Sequence, residues 1–72
     1  MIVRADMASI VWRITVGEGE RVRAGQELLI LESMKMEMPV LAPVAGMVAD
    51  IPVAEGDVIE AGDELVRIER SR

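Results

Sequence analysis

The 72-residue sequence contains no cysteine and no histidine, and Trp12 is its single aromatic residue. Without cysteine the chain has neither a disulfide framework nor a thiolate metal site. Without histidine it lacks the most frequent general base and metal ligand. We therefore expect no catalytic residue and no metal site. The classes that remain are a carrier, an adaptor or a small structural module.

Charge and the length of the hydrophobic stretches exclude two further classes. Thirteen acidic and eight basic residues give a net charge of −5, which opposes binding to a phosphate backbone. Residues 1–13 contain three charged side chains, so they include no signal-peptide core. The longest uncharged stretch, 38–49, contains two prolines and a glycine, whereas a spanning helix needs roughly 20 apolar residues. We expect a cytoplasmic protein that binds neither nucleic acid nor membranes.

An internal repeat organises the chain. When the sequence is displaced by 37 positions, residues 2–32 align with residues 39–69 without a gap, and 13 of the 31 pairs are identical. Paired glycines at fixed offsets are not explained by a shared compositional bias. The segment 33–38 lies between the two copies. We predict one domain over residues 1–72, built from two similar halves that are related by an approximate two-fold axis.

Each half has the pattern of β-structure. Apolar residues at Ile10, Trp12, Ile14 and Val16 alternate with the residues between them, as in a half-buried strand. Turn sequences follow at 17–20 and 54–57, and second strands are predicted at 27–32 and 64–69. The pattern predicts an all-β fold, a small sandwich or flattened barrel with about four strands per half. Trp12 is predicted to lie in its core.

The alternation of apolar residues also places a tight hairpin at the centre of the chain. Leu29 and Leu31 predict an inward odd-numbered face, whereas Val40 and Ala42 predict an inward even-numbered face. This switch requires a register that leaves only Met34 and Lys35 in the turn. Because Met-Lys is a poor choice for such a turn, we interpret the tip as a surface that another protein reads, with an exposed amine suited to covalent attachment.

The sequence resembles the biotinyl/lipoyl attachment domain family over essentially its whole length. The stretch 32–36 (Glu-Ser-Met-Lys-Met) resembles the biotin acceptor motif, with Lys35 at the modified position. The stretch 42–48 and the later glycines also match, whereas 6–9 (Asp-Met-Ala-Ser) departs from the Ala-Pro-x-x-Gly-like turn that is usual in the first half. The likeness is greatest to biotin carboxyl carrier domains and to short, free-standing attachment proteins. Only 17–25 joins the relevant strands, so no "thumb" loop is expected.

This resemblance implies a flattened β-barrel of two quasi-symmetric four-stranded halves and a non-catalytic carrier function. A biotin protein ligase would attach biotin to Lys35 through an amide and would read Glu32, Ser33, Met34 and Met36. The carrier, a monomer when free, would then serve a biotin carboxylase and a carboxyltransferase. Its contribution would be tethering.

Three alternatives remain at this point. Lipoylation of Lys35, alone or together with biotinylation, is compatible with Glu32 and Ser33, although Met34 and Met36 favour biotin. An unmodified adaptor module would not need Lys35. A small hydrolase would use paired carboxylates, but the acidic pairs at 18/20 and 55/57 repeat with the duplication and fall in turns.

Overall fold

A computed structural model describes residues 1–70 and confirms the all-β fold, since those residues contain eight strands and no helix. No segment among them could cross a membrane as a helix. The strands are β1 (Ile2–Arg4), β2 (Ser9–Ile14), β3 (Arg21–Val22), β4 (Glu27–Ser33), β5 (Met36–Leu41), β6 (Gly46–Asp50), β7 (Val58–Ile59) and β8 (Glu64–Arg70). Their richness in Val, Ile and Leu matches the preference of branched aliphatic residues for pleated surfaces.

The strands form two antiparallel four-stranded sheets. Sheet I has the order β1-β8-β6-β3, and sheet II has the order β5-β4-β2-β7. Strands four apart in the chain occupy equivalent places in the two sheets. Each sheet takes two strands from residues 2–33 and two from residues 36–70, so the sheets do not coincide with the halves of the sequence. This exchange of strands ties the halves together by backbone hydrogen bonds as well as by side-chain packing.

The core between the sheets is aliphatic. The inward face predicted for β4 is confirmed, because Leu29 and Leu31 are at most 3% exposed, and the equivalent Val66 and Ile68 of β8 are at most 1% exposed. Val40 and Met38 of β5 are partly buried and pack against this core. Close packing of such side chains is the main stabilising contribution available to a chain of this length without cysteine.

The prediction that Trp12 lies in the core is wrong. Val11 pairs with Leu31 but Arg13 pairs with Ile30, so the register shifts at Trp12, as in a β-bulge. The inward positions therefore change from Val11 before the bulge to Ile14 and Val16 after it, and a strict two-residue period fails here. Trp12 is 41% exposed, with the Arg13 guanidinium carbon 4.8 Å from its ring centroid. The second half has the matching shift between Val48 and Asp50.

The acidic pairs in the turns have a structural use. Glu20 accepts a hydrogen bond from the backbone N–H of Gly17 at 3.1 Å, and Asp57 accepts one from Ala54 at 2.9 Å. Glycines with φ of 86° and 95° complete these turns at positions 19 and 56, a conformation that side chains disfavour. The second carboxylate of the later pair, Glu55, accepts a hydrogen bond from the N–H of Ile14 at 2.9 Å. The pairs thus close turns and join strands.

Candidate functional site

The predicted hairpin is present with the predicted register. β4 and β5 pair as Leu29 with Val40, Leu31 with Met38, and Ser33 with Met36. Only Met34 and Lys35 remain between the last paired residues, so the turn has two residues. The hairpin belongs to sheet II, in which β5 is an edge strand and β4 is an inner strand.

Both turn residues adopt left-handed backbone conformations, with φ of 52° at Met34 and 65° at Lys35. These are the only positive φ values of non-glycine residues among residues 1–70. Positive φ at both central positions is the geometry of a type I′ hairpin turn, which matches the twist of the flanking strands. The pairing of β4 with β5 therefore imposes a conformation that Met and Lys do not prefer.

The side chains at the tip are open to solvent. Met34 is 92% exposed and Met36 is 66% exposed. Lys35 is likewise exposed, whereas Glu32 and Ser33 are partly buried at the end of β4. The structure thus brings together the five residues predicted from the motif on one short segment of backbone. These residues fit a covalently attached acyl group, because the amine of Lys35 is accessible on a hydrogen-bonded support.

Two carboxylates face each other below the tip, since Glu32 and Glu37 are direct partners across β4 and β5. Like charges opposite each other destabilise a pair of strands slightly. Together with Lys35 they make the end of the hairpin a distinctive surface, with one cation, two anions and two exposed thioethers.

The unusual first turn, residues 6–9, adopts a bend that leads into β2. Ser9 begins that strand and is buried, and its hydroxyl donates to the carbonyl oxygen of Met7 at 3.2 Å. The flanking Ala5 exchanges backbone hydrogen bonds with the turn at Gly62 and Asp63, as Ala42 does with Gly25 and Gln26. The departure from the family pattern thus leaves the surrounding backbone contacts in place.

The sequence reasoning missed a groove beside the hairpin. This groove is open to solvent, has a volume of about 380 Å³, and is lined by Met34, by residues at the start of β2, and by Val58 and Ile59 of β7. It forms because β7 pairs with β2, with Ile10 opposite Val58. One sequence feature could have indicated it: position 58 is valine where the first half has Arg21.

Comparisons with known proteins agree with this geometry. The family model described as "Biotin-requiring enzyme" matches residues 2–68. The chain is 48% identical over 42 residues to the biotin/lipoyl attachment protein of Bacillus subtilis (strain 168), covering 58% of each protein. It is 52% identical over 42 residues to the biotinylated protein TB7.3 homolog of Mycobacterium leprae (strain TN), covering 58% of this chain and 59% of the relative. The chain thus spans less than two thirds of these relatives.

Solved structures share the fold. A single-chain, multi-domain long-chain acyl-CoA carboxylase matches with a TM-score of 0.92 and 34% identity, over 99% of this chain and 7% of the carboxylase. Kluyveromyces lactis urea carboxylase matches with a TM-score of 0.90 and 33% identity, over 96% of this chain and 6% of that enzyme. The sheets, the two-residue hairpin and the family model lead to one conclusion: the chain belongs to the biotin/lipoyl attachment family.

Proposed function

We propose that Lys35 is the attachment point of biotin and that the chain is a biotin carboxyl carrier. The observation that supports this most directly is an exposed lysine at the tip of a two-residue β-hairpin, between two exposed methionines. Attachment joins the Nζ atom of Lys35 to the carboxyl carbon of biotin as an amide, and the AMP of the activated biotinyl-adenylate leaves. When bound, biotin supplies a carrier for carboxyl groups.

The chain itself contributes position. The hairpin ladder from Leu29 to Ser33 holds the attachment point at a fixed place on sheet II, and the turn leaves Lys35 in solvent. The lysine side chain together with biotin extends roughly 15 Å by bond geometry. Tethering at this length raises the local concentration of the carried group at a neighbouring active site. Apart from the amide bond at Lys35, the side chains of the chain take no part in the carboxylation or in the transfer of the carboxyl group.

The partners in this proposal are a biotin protein ligase, a biotin carboxylase and a carboxyltransferase. The ligase reads Glu32, Ser33, Met34 and Met36 around the lysine. The free carrier is a monomer of one domain, residues 1–72, built from the repeat of 2–32 and 39–69, and it acts in the cytoplasm. Two of the solved structures that match this fold are carboxylases, which supports the assignment of partners.

Lipoate at Lys35 is the second candidate, alone or beside biotin. The Bacillus subtilis relative is named a biotin/lipoyl attachment protein, and Glu32 and Ser33 fit both motifs. Met34, in the position where lipoyl domains usually have aspartate, favours biotin. An unmodified adaptor is the remaining alternative.

The test is intact mass spectrometry of the chain expressed with a biotin protein ligase, followed by streptavidin and anti-lipoyl blots. We expect one biotinyl addition, and Lys35→Arg should abolish it with an unchanged melting temperature, since the exposed tip contributes nothing to the core. Arg4→Lys, which adds an exposed amine far along the chain from the hairpin, is the matched control and should keep a single addition. A mass that shows only lipoate, or a streptavidin signal retained in Lys35→Arg, would overturn the proposal.

A further inference from the structure

We propose that the groove beside the hairpin is a resting site for the biotinyl head group carried by the chain's own Lys35. This inference rests on the proposed function, since it requires biotin on that lysine. It assigns a use to the exposed Ile10 and Val58, which neither the attachment motif nor the core explains.

The groove is continuous with the attachment point. Its floor crosses three neighbouring strands of sheet II, because Val58 pairs with Ile10 and Ile10 pairs with Glu32. At the open end of β4 it is lined by Ser33 and Met34, the residue next to Lys35. A group tethered to Lys35 therefore always has the groove within its reach.

The length of the tether matches the distance. Neighbouring strands lie roughly 5 Å apart, so β7 is about 10 Å from β4 across the sheet. The lysine and biotin chain extends roughly 15 Å. This span allows the arm to fold back from the tip over Ile10 and place its ring system against Val58. The groove is open to solvent and offers about 380 Å³, so it can cover one side of the ring system without enclosing it.

The charges of the lining fit a neutral group that donates hydrogen bonds. Of the nine lining residues, all in the described part of the chain, Glu32 and Glu60 are acidic and none is basic. Biotin in amide linkage carries no charge, its ring edges are apolar, and its ureido N–H groups can donate to carboxylates. The free ammonium of Lys35 can pair with these carboxylates but gains nothing from the apolar side chains, whereas acylation removes its charge and adds an apolar ring system. The apolar part of the groove thus suits the modified lysine better than the unmodified one.

The other half of the molecule provides an internal comparison. The residues of the first half that are equivalent to Val58 and Glu60 are Arg21 and Arg23. Both sheets have the same strand order and matching bulges, so the fold accepts arginine at these places. Val58 nevertheless leaves 78% of its surface exposed. The need to fold therefore does not explain the apolar surface, whereas an apolar occupant beside the hairpin does.

The experiment is NMR of the chain after biotinylation has been verified by intact mass, compared with the unmodified chain. We expect nuclear Overhauser contacts from the biotin ring protons to the methyl groups of Ile10 and Val58, and shifts of the Ile59 amide. The resonances of Met47 and Val22 in sheet I, which are equivalent to Ile10 and Ile59, should not shift. Val58→Arg, which copies the arginine of the other half, should remove the contacts, and its mirror variant Arg21→Val should keep them.

The wild-type spectra decide the question even if a variant fails to fold. Chemical-shift changes that are confined to residues 33–37, without contacts from the biotin ring, would overturn the proposed resting site. They would leave biotinylation, and so the proposed function, intact. Chemical-shift changes at Ile10 and Val58 that grow with protein concentration would indicate that a second copy of the chain binds this surface. That result would also overturn the proposed resting site. Absence of biotin in the intact mass would remove both proposals together.

Discussion

The conformation of Met34 leads to a prediction about the balance between stability and recognition at the tip. Its φ of 52° lies in the left-handed region, which costs an ordinary side chain about 1–2 kcal/mol. Asparagine is several-fold enriched there, an enrichment that corresponds to about 0.6–1 kcal/mol. Because Met34 is 92% exposed, its replacement sacrifices almost no buried apolar surface. We therefore expect Met34→Asn to stabilise the fold.

The expected gain can be measured by thermal unfolding. For a domain of 60–100 residues, 1 kcal/mol shifts the melting temperature by about 4–8 °C, so Met34→Asn should raise it by about 2–8 °C. The matched control is Met36→Asn, which changes an exposed methionine two residues away on β5, at a position without positive φ. Asparagine is disfavoured in strands, so that variant should be neutral or less stable.

The same variant should be a poorer substrate of the ligase. If Met34 is read during modification, Met34→Asn will slow the appearance of the biotinyl mass at a fixed ligase concentration although the protein is more stable. A melting temperature that stays constant or falls in both Met34→Asn and Met34→Gly would refute the predicted cost of the left-handed conformation at position 34. An unchanged modification rate would instead remove Met34 from the recognition surface.

Two further predictions test the fold with variants matched within the chain. Gly19→Ala should lower the free energy of unfolding by about 0.5–1 kcal/mol, because φ is 86° and the cost of a left-handed alanine exceeds the entropic gain. Gly17→Ala has open space and no positive φ, so it should raise the free energy of unfolding by about 0.4–1 kcal/mol. Equal effects of the two variants in urea unfolding would contradict this prediction. Leu28→Ala and Leu65→Ala remove fully buried side chains at equivalent places in the two halves. Each should lower the free energy of unfolding by about 2–5 kcal/mol, out of a total of roughly 4–11 kcal/mol for a chain of this size. If the two losses differ by more than about 2 kcal/mol, the two leucines do not have matching environments.

The hairpin could be predicted from the sequence because two independent faces constrain it. Leu29 and Leu31 must point inward on one strand, and Val40 and Ala42 on the next, so only one register satisfies both. A shift by one residue would bring one of these sets to the surface. Burial therefore specifies the turn even though Met-Lys is a poor turn sequence.

Trp12 could not be placed in the same way. The run from Ile10 to Val16 is apolar at every second position, which a regular strand would bury on one face. A bulge adds one residue and exchanges the faces within the strand. The arrangement of the sheets was also beyond local patterns, because the pairing of β2 with β7 joins residues from different halves. The groove depends on that pairing, so no window of sequence contains it.

The differences between the halves are more informative about function than their similarities. Identical residues such as Val11 and Val48 are buried, and they explain why the two sheets share a strand order. Residues 33–38 have no place in the repeat, and they form the tip. Val58, where the other half has Arg21, lies in the groove that touches this tip. Two departures from the symmetry thus meet at one corner of the molecule. Because the backbone accepts the alternative residues elsewhere, folding does not account for these choices, and the group attached at Lys35 gives them a common cause.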